Sequence, residues 1–129
     1  MKQSLASEFE LKFRAARERA GPYPVAAYEF VKHGLDHTCK TIAGESERRH
    51  ISGEELCLGL RDFALRQYGR LARTVLAKWH IHSTEDFGKI VFAMIEAKIL
   101  AKTEEDSAED FRAVFDFEEA FGDLAGATR

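Results

Sequence analysis

A chain of 129 residues, 45% hydrophobic and 32% charged with ten phenylalanines, has the length and composition of one globular domain, which excludes an intrinsically disordered chain. No apolar run approaches the roughly 20 residues needed to cross a bilayer, and the opening stretch Met1-Lys2-Gln3-Ser4-Leu5-Ala6-Ser7-Glu8 lacks the apolar core of a signal peptide. The expectation is a cytoplasmic protein with no membrane partner, a single domain over 1–129 with 1–6 and 123–129 frayed.

The net charge of −3 is small, but its distribution is uneven. Between Arg61 and His80 the cations Arg61, Arg66, Arg70, Arg73 and Lys78 face one acid, Asp62. Between Thr103 and Asp123 nine acids face Arg112 alone. The chain has a basic middle and an acidic end.

Ser7 and Glu10 have capping-box spacing, and Phe9, Phe13, Ala16 and Ala20 follow at helical steps, predicting a first helix stopped by Gly21-Pro22. Pro24 suits the first turn of a second helix whose inner stripe is Ala27, Phe30, Val31, Leu35, Thr38 and Ile42, with Gly44 at its end. Residues 45–50 are polar and aperiodic, and predict a mobile loop. Ser52 with Glu55 forms a capping box for a third helix lined by Leu56, Leu60, Phe63 and Ala64 and ended by Gly69. A shorter fourth helix carries Leu71, Val75, Leu76 and Trp79, and His80-Ile81-His82 reads as an extended link. Ser83 or Thr84 caps a fifth helix whose broad apolar face, Phe87, Ile90, Val91, Met94, Ile95 and Ile99, marks it as central. Gly88 inside it implies a close helix–helix approach.

Beyond Ile99 the period changes. Phe111, Ala113, Phe115 and Phe117 alternate with Arg112, Val114 and Asp116, a strand pattern, and Ile99-Leu100-Ala101-Lys102-Thr103 offers a partner strand. The fold class expected is therefore mainly α, a five-helix domain with a C-terminal β-hairpin tipped by residues 104–110 and a last helical turn near Glu118–Phe121. From Ser52 to Phe117 this element order resembles a winged helix.

At residue level, several strings resemble signatures of the Minf family of small uncharacterised bacterial proteins. They are Tyr23-Pro24, Ala27 to Val31, Arg49 to Leu56, Leu71 to Leu76, Thr84 to Gly88, Lys102 to Ser107 and Phe115-Asp116-Phe117. The family has no assigned reaction, so the resemblance implies no cofactor and no site residue.

Several constellations carry chemistry in principle. His33 and His37, four apart with Asp36 adjacent, can reach one ion on a helix face, with zinc the first choice, and His80 and His82 could add ligands. The set lacks the glutamate of H-E-x-x-H. Cys39 and Cys57 are candidate nucleophiles outside any nucleophile motif, and read more simply as buried thiols. No catalytic, cofactor-binding or metal residue is therefore assigned. A duplex-reading role needs cations on the long helix and wing, where this sequence places acids. The expectation is a non-enzymatic protein-interaction or regulatory module, engaging itself or a basic partner. A winged-helix DNA-binding regulator is the alternative, and a metal-dependent or thiol enzyme comes third.

Overall fold

A Gly-Pro break followed by a proline at a helix start fixes where the first long helix begins. Gly21 takes φ 125°, and Ala27 N–H already donates to Pro24 C=O, so α1 runs Val25–Ala43. The computed structural model describes Leu11, Arg14, Glu18 and residues 21–43, 51–97, 99–100 and 107–122. Of the first predicted helix, Leu11, Arg14 and Glu18 are helical and exposed, and the rest lies outside the described residues, as do the loop 45–50 and the ends 1–6 and 123–129.

The capping box at Ser52 forms as its spacing requires. Glu55 N–H donates to Ser52 Oγ and Ser52 N–H to Glu55 Oε1, both at 3.1 Å, and α2 follows over Gly53–Tyr68. A 3₁₀ turn, Gly69–Leu71, leads into the short α3, Ala72–Lys78. Helix α4 spans Thr84–Glu96, a second 3₁₀ turn covers Ala108–Phe111, and a last single-turn helix, α5, covers Phe117–Phe121.

Helices α1 and α2 pack antiparallel. Phe30 meets Phe63 and Tyr68, Gly34 meets Leu60, and Thr38 lies against Gly59, so positions rising along α1 meet positions falling along α2. The fully buried Tyr28, Val31, Leu60, Leu76, Ile81, Phe87, Ile90 and Met94 form the centre, each contributing about 1.5–3 kcal/mol of burial where it is a Val, Leu, Ile, Phe or Met. Leu71 departs from its predicted inward position: it is 54% exposed, and Ala72 points inward in its place. Ile42, predicted inside, is 39% exposed.

The predicted β-hairpin is absent: among the described residues there is no strand, and the winged-helix reading of the second half falls with it. Ile99 and Leu100 do not start a strand. Their N–H groups fold back onto Met94 C=O at 2.8 and 3.3 Å and close the end of α4. Residues 101–106, the rest of that arm and part of its tip, lie outside the described residues.

Local capping outcompetes the ladder in the other arm. Ser107 Oγ accepts Glu109 N–H, opening the 3₁₀ turn, and an Asp116 carboxylate oxygen accepts Glu119 N–H, opening α5, each at 3.1 Å. Between these caps Ala113 takes φ 48°, which ends any extended run. The backbone groups a ladder would have used go to the start of α4 instead. Thr84 Oγ1–H donates to Phe111 C=O at 2.7 Å, Val114 N–H donates to Thr84 Oγ1 at 3.1 Å, and Ala113 N–H donates to Glu85 Oε2 at 3.1 Å.

Gly88 has the close neighbour its place in a helix implied, though the neighbour is not a helix. The Phe111 side chain enters between α2 and α4, where a Cβ on Gly88 would stand 2.9 Å from Phe111 Cβ and one on Gly53 2.9 Å from Phe111 Cε1. Phe111, Phe117 and Phe121 are buried, and Phe115 is partly buried under the Arg61 guanidinium, 5.5 Å from its ring centre. The acidic end thus uses Phe111, Phe117 and Phe121 to close the core, with Phe115 partly buried at its margin.

Candidate functional site

A cluster of partly buried aromatic rings lies where α1, the C-terminal part of α2 and the turn after α3 meet. Phe30, 4% exposed, forms the floor. Around it stand Phe63, Tyr68 and Trp79, with ring centroids 5.4, 6.4 and 5.6 Å from that of Phe30. Tyr68 and Trp79 meet edge to face at 80° and 6.0 Å. These four rings, with Ala26, Glu29, His33 and Gln67, line a cleft of about 180 Å³.

The same face of α1 continues past the cleft. Glu29, His33 and His37 follow at four-residue steps, so they lie in one row along the helix. Phe63 joins the two parts, because its ring is 5.4 Å from both Phe30 and His37. The His37 Nε2–H donates to Asp62 Oδ2 at 2.8 Å, and Arg66 Nε–H donates to the same oxygen at 2.8 Å. The His37 bond is the largest influence and, with the Arg66 bond, holds the Asp62 carboxyl below the usual carboxylate range against the opposing effect of burial.

That lowering has a stability consequence of determined sign. A carboxylate with a depressed folded-state pKa stabilises above its unfolded value of about 3.9, and loses the contribution as pH falls through the lower folded value. Because Asp62 is 47% exposed, the contribution stays below about 1 kcal/mol. Asp62→Asn is therefore expected to lower the melting temperature slightly near neutral pH and to melt with wild type near about pH 2. A difference that grows on acidification would contradict this assignment.

The histidines paired as metal-ligand candidates have separate roles. His33 stands at the cleft, whereas His37 Nε2 is committed to Asp62. Asp36 is exposed, as are His80 and His82, with His80 in a turn at φ 66°. Among the described residues no three His, Cys, Asp or Glu side chains are grouped as metal ligands.

The two cysteines also differ. Cys57 is fully buried, and burial first, then the Glu85 and Glu54 carboxylates, push its thiol up to about 12. A group so shifted stays a thiol and has little nucleophilic character. Cys39 is partly exposed, and neither cysteine forms a disulfide. A disulfide exchange reagent at about pH 8 is expected to modify Cys39 in the native protein and Cys57 only after denaturation. Equal native rates would refute the burial argument.

The basic stretch is largely occupied by internal ties. Arg61 covers Phe115, Arg66 binds Asp62, and Arg73 Nη1–H donates to Gly122 C=O at 2.8 Å. Arg70 and Lys78 are exposed.

No family model, curated protein or solved structure matches this chain. None of these comparisons supports the resemblance to the Minf family. No described helix is long and apolar enough to cross a membrane.

The sequence places Phe30, Phe63 and Trp79 on the apolar faces of helices, leaves Tyr68 and Gln67 unremarked, and includes Glu29 only within the string Ala27 to Val31. One signal was present: Glu29 precedes His33 by the same four residues that separate His33 from His37, which marks a single polar row.

Proposed function

We propose that this protein is a non-enzymatic interaction module that docks a partner protein at the aromatic cleft between α1 and α2. The observation carrying this reading is that three large rings, Phe63, Tyr68 and Trp79, remain only partly buried around one floor residue, Phe30. Tyrosine and tryptophan beside a cleft supply rigid contact area at low entropic cost, which is the composition of interface anchors. Polar groups at the margin, Glu29, His33 and Gln67, provide a rim that orients what enters. The same reading keeps the chain in the cytoplasm, where a buried, reduced Cys57 is compatible with the surroundings.

The test is site-specific photo-crosslinking in living cells. A photoreactive residue at the exposed Gln67 is expected to trap a defined protein, while the same residue at the exposed Glu118 of α5 is not. The trapped protein, once identified by mass spectrometry and purified, should bind the full chain, and Tyr68→Ala should weaken that binding at least tenfold, about the 1.4 kcal/mol an interface anchor supplies. Identical adducts at both positions, or unchanged binding by Tyr68→Ala, would overturn the docking role.

A further inference from the structure

We infer that the acidic C-terminal arm, residues 107–122, imitates a single-stranded nucleic acid and covers a phosphate-binding face carried by Arg61, Arg70 and Arg73. The arm meets that basic stretch at two points. The Arg61 guanidinium lies over the Phe115 ring, and Arg73 Nη1–H donates to Gly122 C=O at 2.8 Å. Between the two points, α5 packs on α3. Arg70 stands three residues before Arg73 and is exposed. What the arm supplies to the two tied guanidiniums is a neutral ring and a neutral carbonyl. Among the described residues none of the three arginines is in an ion pair, so no contacting carboxylate offsets their charge.

The chemistry of the arm identifies what it stands in for. Phe115 stacks on Phe117 at 5.6 Å and 19°, as neighbouring bases stack, and Arg61 packs on Phe115 as a guanidinium packs on a base. The exposed acids Asp116, Glu118 and Glu119 are interspersed with these rings, the anionic part of the likeness. A duplex hides its base faces from a side chain such as Arg61, whereas a single strand offers a ring face and a phosphate together. Arginine at all three positions suits both stacking and two-pronged phosphate contact. Asp116 adjoins Phe115, and Glu118 and Glu119 lie in the single turn that Gly122 ends. These carboxylates are therefore held on the order of a 10 Å Debye length from the guanidiniums, where they oppose an incoming phosphate.

The experiment uses the full chain and a labelled oligothymidine of about 12 nucleotides, with binding read by fluorescence anisotropy. Asp116→Asn, Glu118→Gln and Glu119→Gln together remove the charges, and asparagine keeps the cap on Glu119 N–H. This neutralised variant is expected to bind the strand about fivefold more tightly than wild type at low salt. Neutralising Glu18, Glu29 and Asp36, exposed acids of the N-terminal half, changes net charge equally and should gain less than about twofold. Three phosphate contacts set the slope of log affinity against log salt at about −2 for a single strand. Arg70→Gln in the neutralised variant should make that slope shallower by about 0.7.

Equal gains from the two neutralised sets would overturn the covering role and leave only an effect of net charge. Tighter binding of a duplex of the same length would overturn the single-strand likeness. Heparin or anionic vesicles bound as tightly as the oligothymidine would overturn the choice of nucleic acid. Absence of binding by the neutralised variant at low salt would overturn the proposal outright.

Discussion

Gly59→Ala is expected to lower stability by about 2–3 kcal/mol, read as an earlier denaturant midpoint at unchanged slope. Alanine in a helix interior ordinarily gains about 1 kcal/mol over glycine, so propensity alone predicts the opposite sign. The surroundings of Gly59 reverse it. An added Cβ would stand 1.8 Å from Thr38 Oγ1, 2.7 Å from its Cβ and 2.8 Å from its Cγ2, so every rotamer of a β-branched side chain stays in conflict. Thr38 is also pinned, 1% exposed and donating its hydroxyl to Gly34 C=O at 2.7 Å. The relief available is separation of α1 from α2, which loosens the packing around Leu60 and Phe63 and with it the cleft. Thr38→Ala in the Gly59→Ala background should recover much of the loss, a coupling that a double-mutant cycle measures directly. No recovery would place the conflict elsewhere.

The contact between Thr38 and Gly59 shows where sequence reading ends. Both residues lie in helices that sequence reading located well. The capping box at Ser52 and Glu55, the break at Gly21-Pro22 and the acidic first turn of α4 are local signals, and the chain forms those starts without reference to the rest of the fold. The apolar stripe of α4 was equally legible, because Phe87, Ile90, Val91 and Met94 repeat at helical spacing and all are buried. That Thr38 meets Gly59, or that Tyr68 faces Trp79, depends on how separate helices are juxtaposed, and no spacing along one helix encodes it. The cleft draws Glu29 and Phe30 from α1, Phe63 and Tyr68 from α2 and Trp79 from the turn after α3, so its rings read as ordinary core positions one element at a time.

The C-terminal arm failed for a different reason: two local signals conflicted. Period-two alternation from Phe111 to Phe117 argued for a strand, while Ser107 and Asp116 each stood at a cap position with acids following. A strand without a committed neighbour gains little, because its backbone groups are satisfied only when the ladder forms. Caps satisfy theirs within three residues. The side chains of Thr84 and Glu85 then took the remaining backbone groups, a long-range contribution that the alternation pattern could not reveal.

Thr84→Val is accordingly expected to release the arm while leaving the α1–α2 pair intact. Valine keeps the volume, so no cavity opens, and the change isolates the hydroxyl. That hydroxyl is fully buried, gives its proton to Phe111 C=O and receives one from Val114 N–H. Its loss leaves a buried carbonyl and a partly buried N–H without their partner, a cost of about 2–4 kcal/mol. The adjoining Glu85 bond to Ala113 N–H is exposed and too weak to hold the segment, and Ala113 at φ 48° costs about 1–2 kcal/mol of backbone energy that folding of the arm must already overcome. What remains is burial of Phe111 between Gly53 and Gly88, which cannot fix the backbone on either side. Amide exchange at Val114 should therefore accelerate by about two orders of magnitude, and trypsin should cut after the exposed Arg112 well before the global transition. Thr84→Ser keeps both bonds and should retain most of the protection. Should the valine variant protect Val114 as well as wild type, burial of Phe111 alone would be holding the arm, and the hydroxyl would be incidental to the turn that replaced the hairpin.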